Sequence, residues 1–228
     1  MNNKLNILYE DNHIIVVVKE QNVLSQGDST GDNNLLDMLK EYIKVKYKKP
    51  GNVYLGLVHR LDRPVGGVMV FARSSKAASR LSESIKKHDG FRKKYLVVVR
   101  GLLDKKEGVF EDYLLKKEDG NTIISDKEHG KKAVLKYKVL EENDGMSLVQ
   151  VELVTGRHHQ IRVQFSSRGH SIYGDARYGV NTGDDICLWA YSLEFVHPTK
   201  KELMLFFSKP NNKKNGWNKF NLNSIKNS

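Results

Sequence analysis

Residues 57–72 read LVHRLDRPVGGVMVFA: an apolar entry, a histidine and three charged side chains, a break at Pro64 and Gly66–Gly67, and five apolar residues. The apolar half has the length of a short buried strand over 67–73, and the break before it marks a loop. His59, Arg60 and Asp62 therefore stand at the mouth of a strand. A solvated loop would scatter such charges and a core would exclude them, so their placement raises a question of chemistry.

Around this stretch the chain alternates strands and helices. NILYEDNHIIVVVKEQN (6–22) reads as two strands across a turn at Asp11–Asn12. NNLLDMLKEYIKVKY (33–47) carries apolar residues at 35, 36, 39, 42 and 43 behind asparagine caps, the period of an amphipathic helix. SSKAASRLSESIKKH (74–88) predicts a serine-capped helix, and KYLVVVRG (94–101) another strand. Residues 104–132 are charged and weakly periodic and read as loops with at most one strand. AVLKYKVLE and MSLVQVELVTG form a hairpin across ENDG. RHHQIRVQFSSRG (157–169) reads as a helix ending at Gly169, and CLWAYSLEFVHP and ELMLFFSKP close the sheet. The expected fold is α+β, a mostly antiparallel mixed sheet with flanking helices, over residues 1–210. Residues 211–228 read as a polar, loosely held Asn/Lys-rich tail.

Composition sets the partner class. The chain has 228 residues, enough for a sizeable core, and 39% are hydrophobic. Lys and Arg total 38 against 27 acidic residues, a formal net charge of +11, which attracts polyanions such as RNA or DNA. Basic residues cluster around aromatics in IKKHDGFRKKY (85–95) and SKPNNKKNGWNKF (208–220), a pattern that serves phosphates and unpaired bases. The only cysteine is Cys187, so no intramolecular disulfide or cysteine metal cage can form. The start of the chain lacks a signal-peptide pattern and no apolar run suits a membrane span, so a cytoplasmic protein without membrane contact is expected. There is no G-x-G-x-x-G, P-loop, H-E-x-x-H or G-x-S-x-G, hence no expected nucleotide cofactor, metal or serine nucleophile. His158 and His159 would point to different faces of a helix, which disfavours a metal centre there.

Three segments interrupt apolar framework with reactive groups: His59–Asp62, Tyr95 at the entry of LVVV, and TGRHHQIRVQF, in which His158 and Arg162 would share a helix face at i, i+4. A carboxylate met by an arginine stays ionised and serves as nucleophile or base. A tyrosine ring can stack on a base or assist proton transfer.

At these residues the chain resembles the RluA-type pseudouridine synthases. HRLDRPVGGVMVFAR resembles the family's catalytic motif, FRKKYLVVVRG its K-x-Y segment, and LVTGRHHQIRVQF its T-G-R-x-H-Q-I-R segment. ILYEDNHIIVVVKEQN, GKKAVLKYKVLE, GHSIYGDARYG and LWAYSLEFVHP follow the family order, so the likeness runs from about residue 7 to 209. It implies the pseudouridine synthase catalytic fold, without the N-terminal S4 RNA-binding domain of many relatives. It also implies isomerisation of uridines in tRNA or rRNA by base flipping, without cofactor. Asp62 matches the catalytic aspartate, Tyr95 the active-site tyrosine, Arg162 the arginine that pairs with the aspartate, and Arg60 the residue tied to base flipping. His59, Lys93, Lys94, Arg157 and His158 are the further candidates for RNA contact. Val65–Gly66–Gly67 replaces the usual Thr-Ser-Gly, Lys19–Glu20 the common Lys-Pro, His158 a usual Thr and Gln164 a frequent His, departures that bear on substrate choice. A monomer is expected. The rival readings are a non-catalytic RNA-binding or ribosome-assembly protein on the same scaffold, and a paired-carboxylate hydrolase using Asp175.

Overall fold

The computed structural model describes residues 5–211, 213 and 215–225. The chain divides into two compact units. One runs up to Phe91 and includes Ser192–Ser208; the other comprises Arg92–Tyr191 and the segment from Lys209.

In the first unit β1 (Asn6–Glu10) pairs antiparallel with β2 (Ile14–Lys19) across the Asp11–Asn12 turn. Asp11 closes that turn by accepting from the His13 and Ile14 amides, as a short carboxylate does at a turn. β2 is buried on both faces, which explains its unbroken apolar run. The helix α1 (Leu35–Lys46) is capped by Asn34, whose side chain accepts from the Asp37 amide, and buries Leu35, Leu39 and Ile43. After a short strand β3 (Gly56–Leu57) comes β4 (Gly66–Ala72), fully buried and antiparallel to β2 with Val16 opposite Val70. The helix α2 (Ser75–Lys87), capped by Ser74, lays Ala77 and Leu81 on this sheet. Phe91, Leu193 and Phe195 complete the core.

The second unit is built on an antiparallel sheet. β5 (Phe91–Arg100) pairs with β9 (Met146–Leu153), β9 with β8 (Lys131–Asn143), β8 with β6 (Glu107–Lys116), and β6 with β7 (Thr122–Ser125), all antiparallel, in the order β5-β9-β8-β6-β7. The β8–β9 turn uses Asp144 and Gly145, both at positive φ (50° and 67°), as a tight hairpin requires. A third helix, α3 (Gln160–Ser166), follows β9. β10 (Leu188–Val196) ends in the first unit, where its Ser192–Val196 half pairs with β11 (Leu203–Phe207).

Each unit thus mixes helix with largely antiparallel sheet, the α+β class expected. Three local expectations change. Residues 104–132 hold two strands, β6 and β7, where loops with at most one strand were expected. α3 begins at Gln160 rather than Arg157. In the described part of the segment beyond 211, where a loosely held tail was expected, Trp217, Phe220, Leu222 and Ile225 are buried, and Trp217 and Leu222 lie in short 3₁₀ helices, Asn215–Lys219 and Leu222–Ser224. Among the described residues no helix is long and apolar enough to cross a membrane.

Candidate active site

The loop between β3 and β4 carries His59, Arg60 and Asp62, and its backbone is held from three directions within the first unit. Ser25 Oγ donates to the Leu61 carbonyl at 2.8 Å and accepts from the Leu61 amide at 3.2 Å. Gln21 Nε2 donates to the Pro64 carbonyl at 3.1 Å. Lys19 Nζ, fully buried, donates to the carbonyls of Arg63 (3.0 Å), Val23 (2.6 Å) and Glu20 (3.1 Å). Fixed amides and carbonyls leave the loop's side chains as the parts that meet a ligand. Arg60 is exposed and Asp62 is half-buried. Burial pushes the Lys19 ammonium down to about 7, while the negative charges of Asp62 and Glu20 oppose that shift and Arg63 adds to it. Lys19 is thus a brace for the loop and a buried cation on which the Asp62 charge acts. Sequence reading noted it only beside an altered proline; the cue available was a lysine ending a wholly apolar strand.

His59 is occupied inside the unit. Its Nε2 accepts from the Val70 amide at 3.1 Å and its ring stands edge-on to Phe91, 5.6 Å between centroids. Phe91 in turn stacks on Phe195, so it is a core ring and does not offer a face to a base. Trp217, the aromatic of the other basic cluster, is 2% exposed and equally withdrawn. Neither Phe91 nor Trp217 therefore offers a ring face to an unpaired base.

The second unit holds Lys93, Lys94, Tyr95, Arg157, His158 and Arg162. Tyr95 is buried on β5, and Lys93, two residues earlier, shares its face of the strand. Arg162 grips Asp175 with two hydrogen bonds, Nε to Oδ2 at 2.8 Å and Nη2 to Oδ1 at 2.7 Å, with the Asp175 side chain fully buried. The same carboxylate accepts from the Arg177 and Tyr178 amides. Burial alone would raise the Asp175 pKa, but Arg162 and these amides outweigh it and hold the carboxyl below its usual range. Asp175 anchors this turn and is also an ionic partner of Arg162 within its own unit.

His159 occupies the left-handed region (φ 51°) as the N-cap of α3. His158 consequently precedes the helix and cannot share a face with Arg162 through helical periodicity. Instead of diverging, the two histidine rings stack, 3.7 Å between centroids. His158 Nδ1 lies 2.9 Å from Thr122 Oγ1, and His159 Nδ1 lies 2.7 Å from the Tyr178 hydroxyl, which also accepts from the Thr122 amide. Arg157 Nε donates to the Lys132 carbonyl, and Gln160 Oε1 accepts from Thr155 Oγ1 and the Arg157 amide, fixing the turn before α3. Gln164, in place of a frequent histidine, donates to Asp112. Among the described residues no three His, Cys, Asp or Glu side chains are grouped as a metal ion would need.

Burial, followed by the charges of Arg162, His158 and Arg177, lowers the His159 pKa to about 3. With the folded value below the unfolded one of about 6.5, the unfolded chain binds more protons between them, so stability falls as pH drops below about 6.5. Discounted for partial exposure, the loss between pH 7 and pH 5 is about 1 kcal/mol. Urea unfolding at the two pH values is expected to show it, and His159→Gln to remove that share of the difference.

Comparison with known proteins follows the same lines. The sequence pattern described as RNA pseudouridylate synthase matches residues 13–167. An uncharacterized RNA pseudouridine synthase of Aquifex aeolicus is 35% identical over 89% of this chain and 68% of its own length. The ribosomal large subunit pseudouridine synthase C of Salmonella typhimurium is 34% identical over 87% of this chain and 64% of its own, so the chain spans about two thirds of these relatives. Among solved structures, human RNA pseudouridylate synthase domain containing 4 superposes with TM-score 0.76 at 22% identity, covering 90% of this chain and 89% of that one. Human RNA pseudouridylate synthase domain containing 1 gives 0.70 at 24% identity, covering 91% and 84%. These two support the fold.

Proposed function

The chain belongs to the RNA pseudouridylate synthase family, whose members are isomerases that convert uridine to pseudouridine in RNA, and we propose that it performs this reaction on structured RNA, with large-subunit rRNA the first substrate to try. The observation that carries the proposal is the half-buried Asp62 on a loop whose backbone is braced by Ser25, Gln21 and Lys19. Preorganised backbone keeps a reacting carboxylate in place without cost at the moment of reaction. The relatives named for the large ribosomal subunit support rRNA; tRNA is the second substrate class to try.

In this reading the target base leaves its stack, at a cost of a few kcal/mol that is least in loops, and exposed Arg60 fills the space it vacates. Asp62 acts on the flipped uridine as nucleophile or as base. The bond from C1′ to N1 breaks, the uracil turns, and C1′ joins C5; N1 takes up a proton and C5 loses one. Tyr95 packs against the uracil, and Arg162 is the cation of the reacting group. His59 shapes the loop, while Lys93, Lys94, Arg157 and His158 contact RNA. No atom is added and no electron is transferred overall, so the reaction calls for neither nucleotide cofactor nor metal, and a monomer suffices.

The test is tritium release from RNA labelled at uridine C5, with rRNA and tRNA fractions assayed apart. Release from one fraction is expected and identifies the substrate class. Binding of both fractions without release from either would replace the proposal with the RNA-binding or ribosome-assembly reading.

A further inference from the structure

β5 brings its second lysine into an unusual setting. Lys93 is half-buried on the strand face it shares with Tyr95, and its Nζ lies against the turn that precedes α3: a β-carbon built on Gly156 would stand 3.1 Å from it. Among the described residues Lys93 makes no hydrogen bond or ion pair, and burial is the sole influence on its pKa, which it lowers. Three other withdrawn cations among the described residues are compensated. Lys19 has three carbonyls and Arg162 has Asp175. Arg73 has Glu10 and the Asp11 carbonyl. An ammonium taken partly out of water without an acceptor is unfavourable, and such groups are kept where a ligand supplies the missing charge.

We propose that Lys93 and the Gly156 turn form a receptor for one backbone phosphate of the RNA, seated beside the face of β5 that carries Tyr95. The absence of a side chain at Gly156 leaves the lysine head and the turn's backbone open to a phosphate oxygen. Arg157 follows in the same turn, with Nε already tied to the Lys132 carbonyl, and adds positive potential without swinging into the space. Within the family reading on which it rests, this contact fixes the position of the strand next to the target nucleotide, where a phosphate grip positions and a base contact specifies.

The probe is a fluorescein-labelled RNA hairpin with a uridine-rich loop, titrated by anisotropy between about 50 and 200 mM salt. Lys93→Met should bind more weakly and lower the slope of log affinity against log salt by about 0.7 to 0.9, the signature of one lost phosphate. Lys93→Arg should keep the slope, and Lys138→Met, an exposed lysine on β8, should bind as the wild type does. Without RNA, Lys93→Met should melt no lower than the wild type, because an uncompensated cation has been removed. Gly156→Ala, which crowds Nζ while leaving every charge in place, should weaken binding as well and serves if Lys93→Met does not fold. An unchanged slope in Lys93→Met, or a lower melting temperature with unchanged RNA affinity, overturns the proposal. So does inorganic phosphate that raises the melting temperature of the wild type but not of Lys93→Met while RNA binding is equal, which would make the site one for a free anion. Tritium release by the wild type from the same hairpin is read separately: if it is absent while the Lys93-dependent slope stands, the family reading fails and the phosphate receptor remains.

Discussion

Asp62→Asn will bind RNA with wild-type affinity and melt at the wild-type temperature, yet release no measurable tritium from RNA labelled at uridine C5. The amide is nearly isosteric with the carboxylate but offers neither a nucleophilic oxygen nor a base. Loss of a nucleophile of this kind lowers kcat by at least about 10³-fold. The loop should keep its shape because its bonds to Ser25, Gln21 and Lys19 are made by backbone atoms of Leu61, Arg63 and Pro64 and none uses the Asp62 side chain. A stability change beyond about 1 kcal/mol is therefore not expected. Asp32→Asn is the control: it breaks the exposed pair between Asp32 and Arg63, 2.8 Å long, and should leave activity near wild type. Full activity in Asp62→Asn would remove Asp62 from the chemistry. An active enzyme whose pH–rate profile titrates two carboxyls would favour the paired-carboxylate hydrolase chemistry instead.

What the sequence disclosed and what it hid divide along physical lines. The helix over 35–46 and the helix over 75–87 were readable because each has a capping side chain and an apolar stripe of helical period. The β1–β2 and β8–β9 hairpins were readable because Asp11–Asn12 and Asp144–Gly145 carry turn chemistry between β-branched runs. β6 was missed because an antiparallel strand solvated on one side spends alternate positions on charge, and Glu107 and Glu111 hid the inward Phe110 and Leu114. β7 was missed because its two central apolar residues, Ile123 and Ile124, are both exposed, so it lacks the alternation of a half-buried strand. The terminal segment was misread because four buried residues, Trp217, Phe220, Leu222 and Ile225, are diluted in Asn and Lys and follow no single period. The start of α3 was misplaced because a left-handed His159 is a three-dimensional decision that adjacent residues do not announce. In the site, motif resemblance named Asp62, Tyr95 and Arg162, but not the brace from Lys19 or the ring pair His158–His159, since those depend on groups that the fold brings into contact.

Arg162→Met will be the most destabilising single substitution in the second unit, because it leaves Asp175 buried and ionised with its strongest partner gone. Breaking a buried pair in this way costs about 3–5 kcal/mol, which corresponds to a fall in melting temperature on the order of 10 °C. The remaining amide donors, Arg177 and Tyr178, hold the carboxylate but do not neutralise it. Adding Asp175→Asn to Arg162→Met should therefore recover much of the loss: the charge disappears, while an amide oxygen still accepts from the same two backbone groups. Asp175→Leu in that background should recover less, since both amides would then lack an acceptor. Thermal melts of the single and double variants check the order. Activity should not follow stability in this series. If Arg162 also serves the reacting group, as proposed, Arg162→Met/Asp175→Asn will be folded and inactive at a temperature where Arg162→Met alone is partly unfolded. If the arginine only secures the Asp175 turn, the double variant regains turnover as it regains stability. The comparison of kcat with melting temperature across the same proteins thus separates an arginine that holds the fold from one that acts on the uridine.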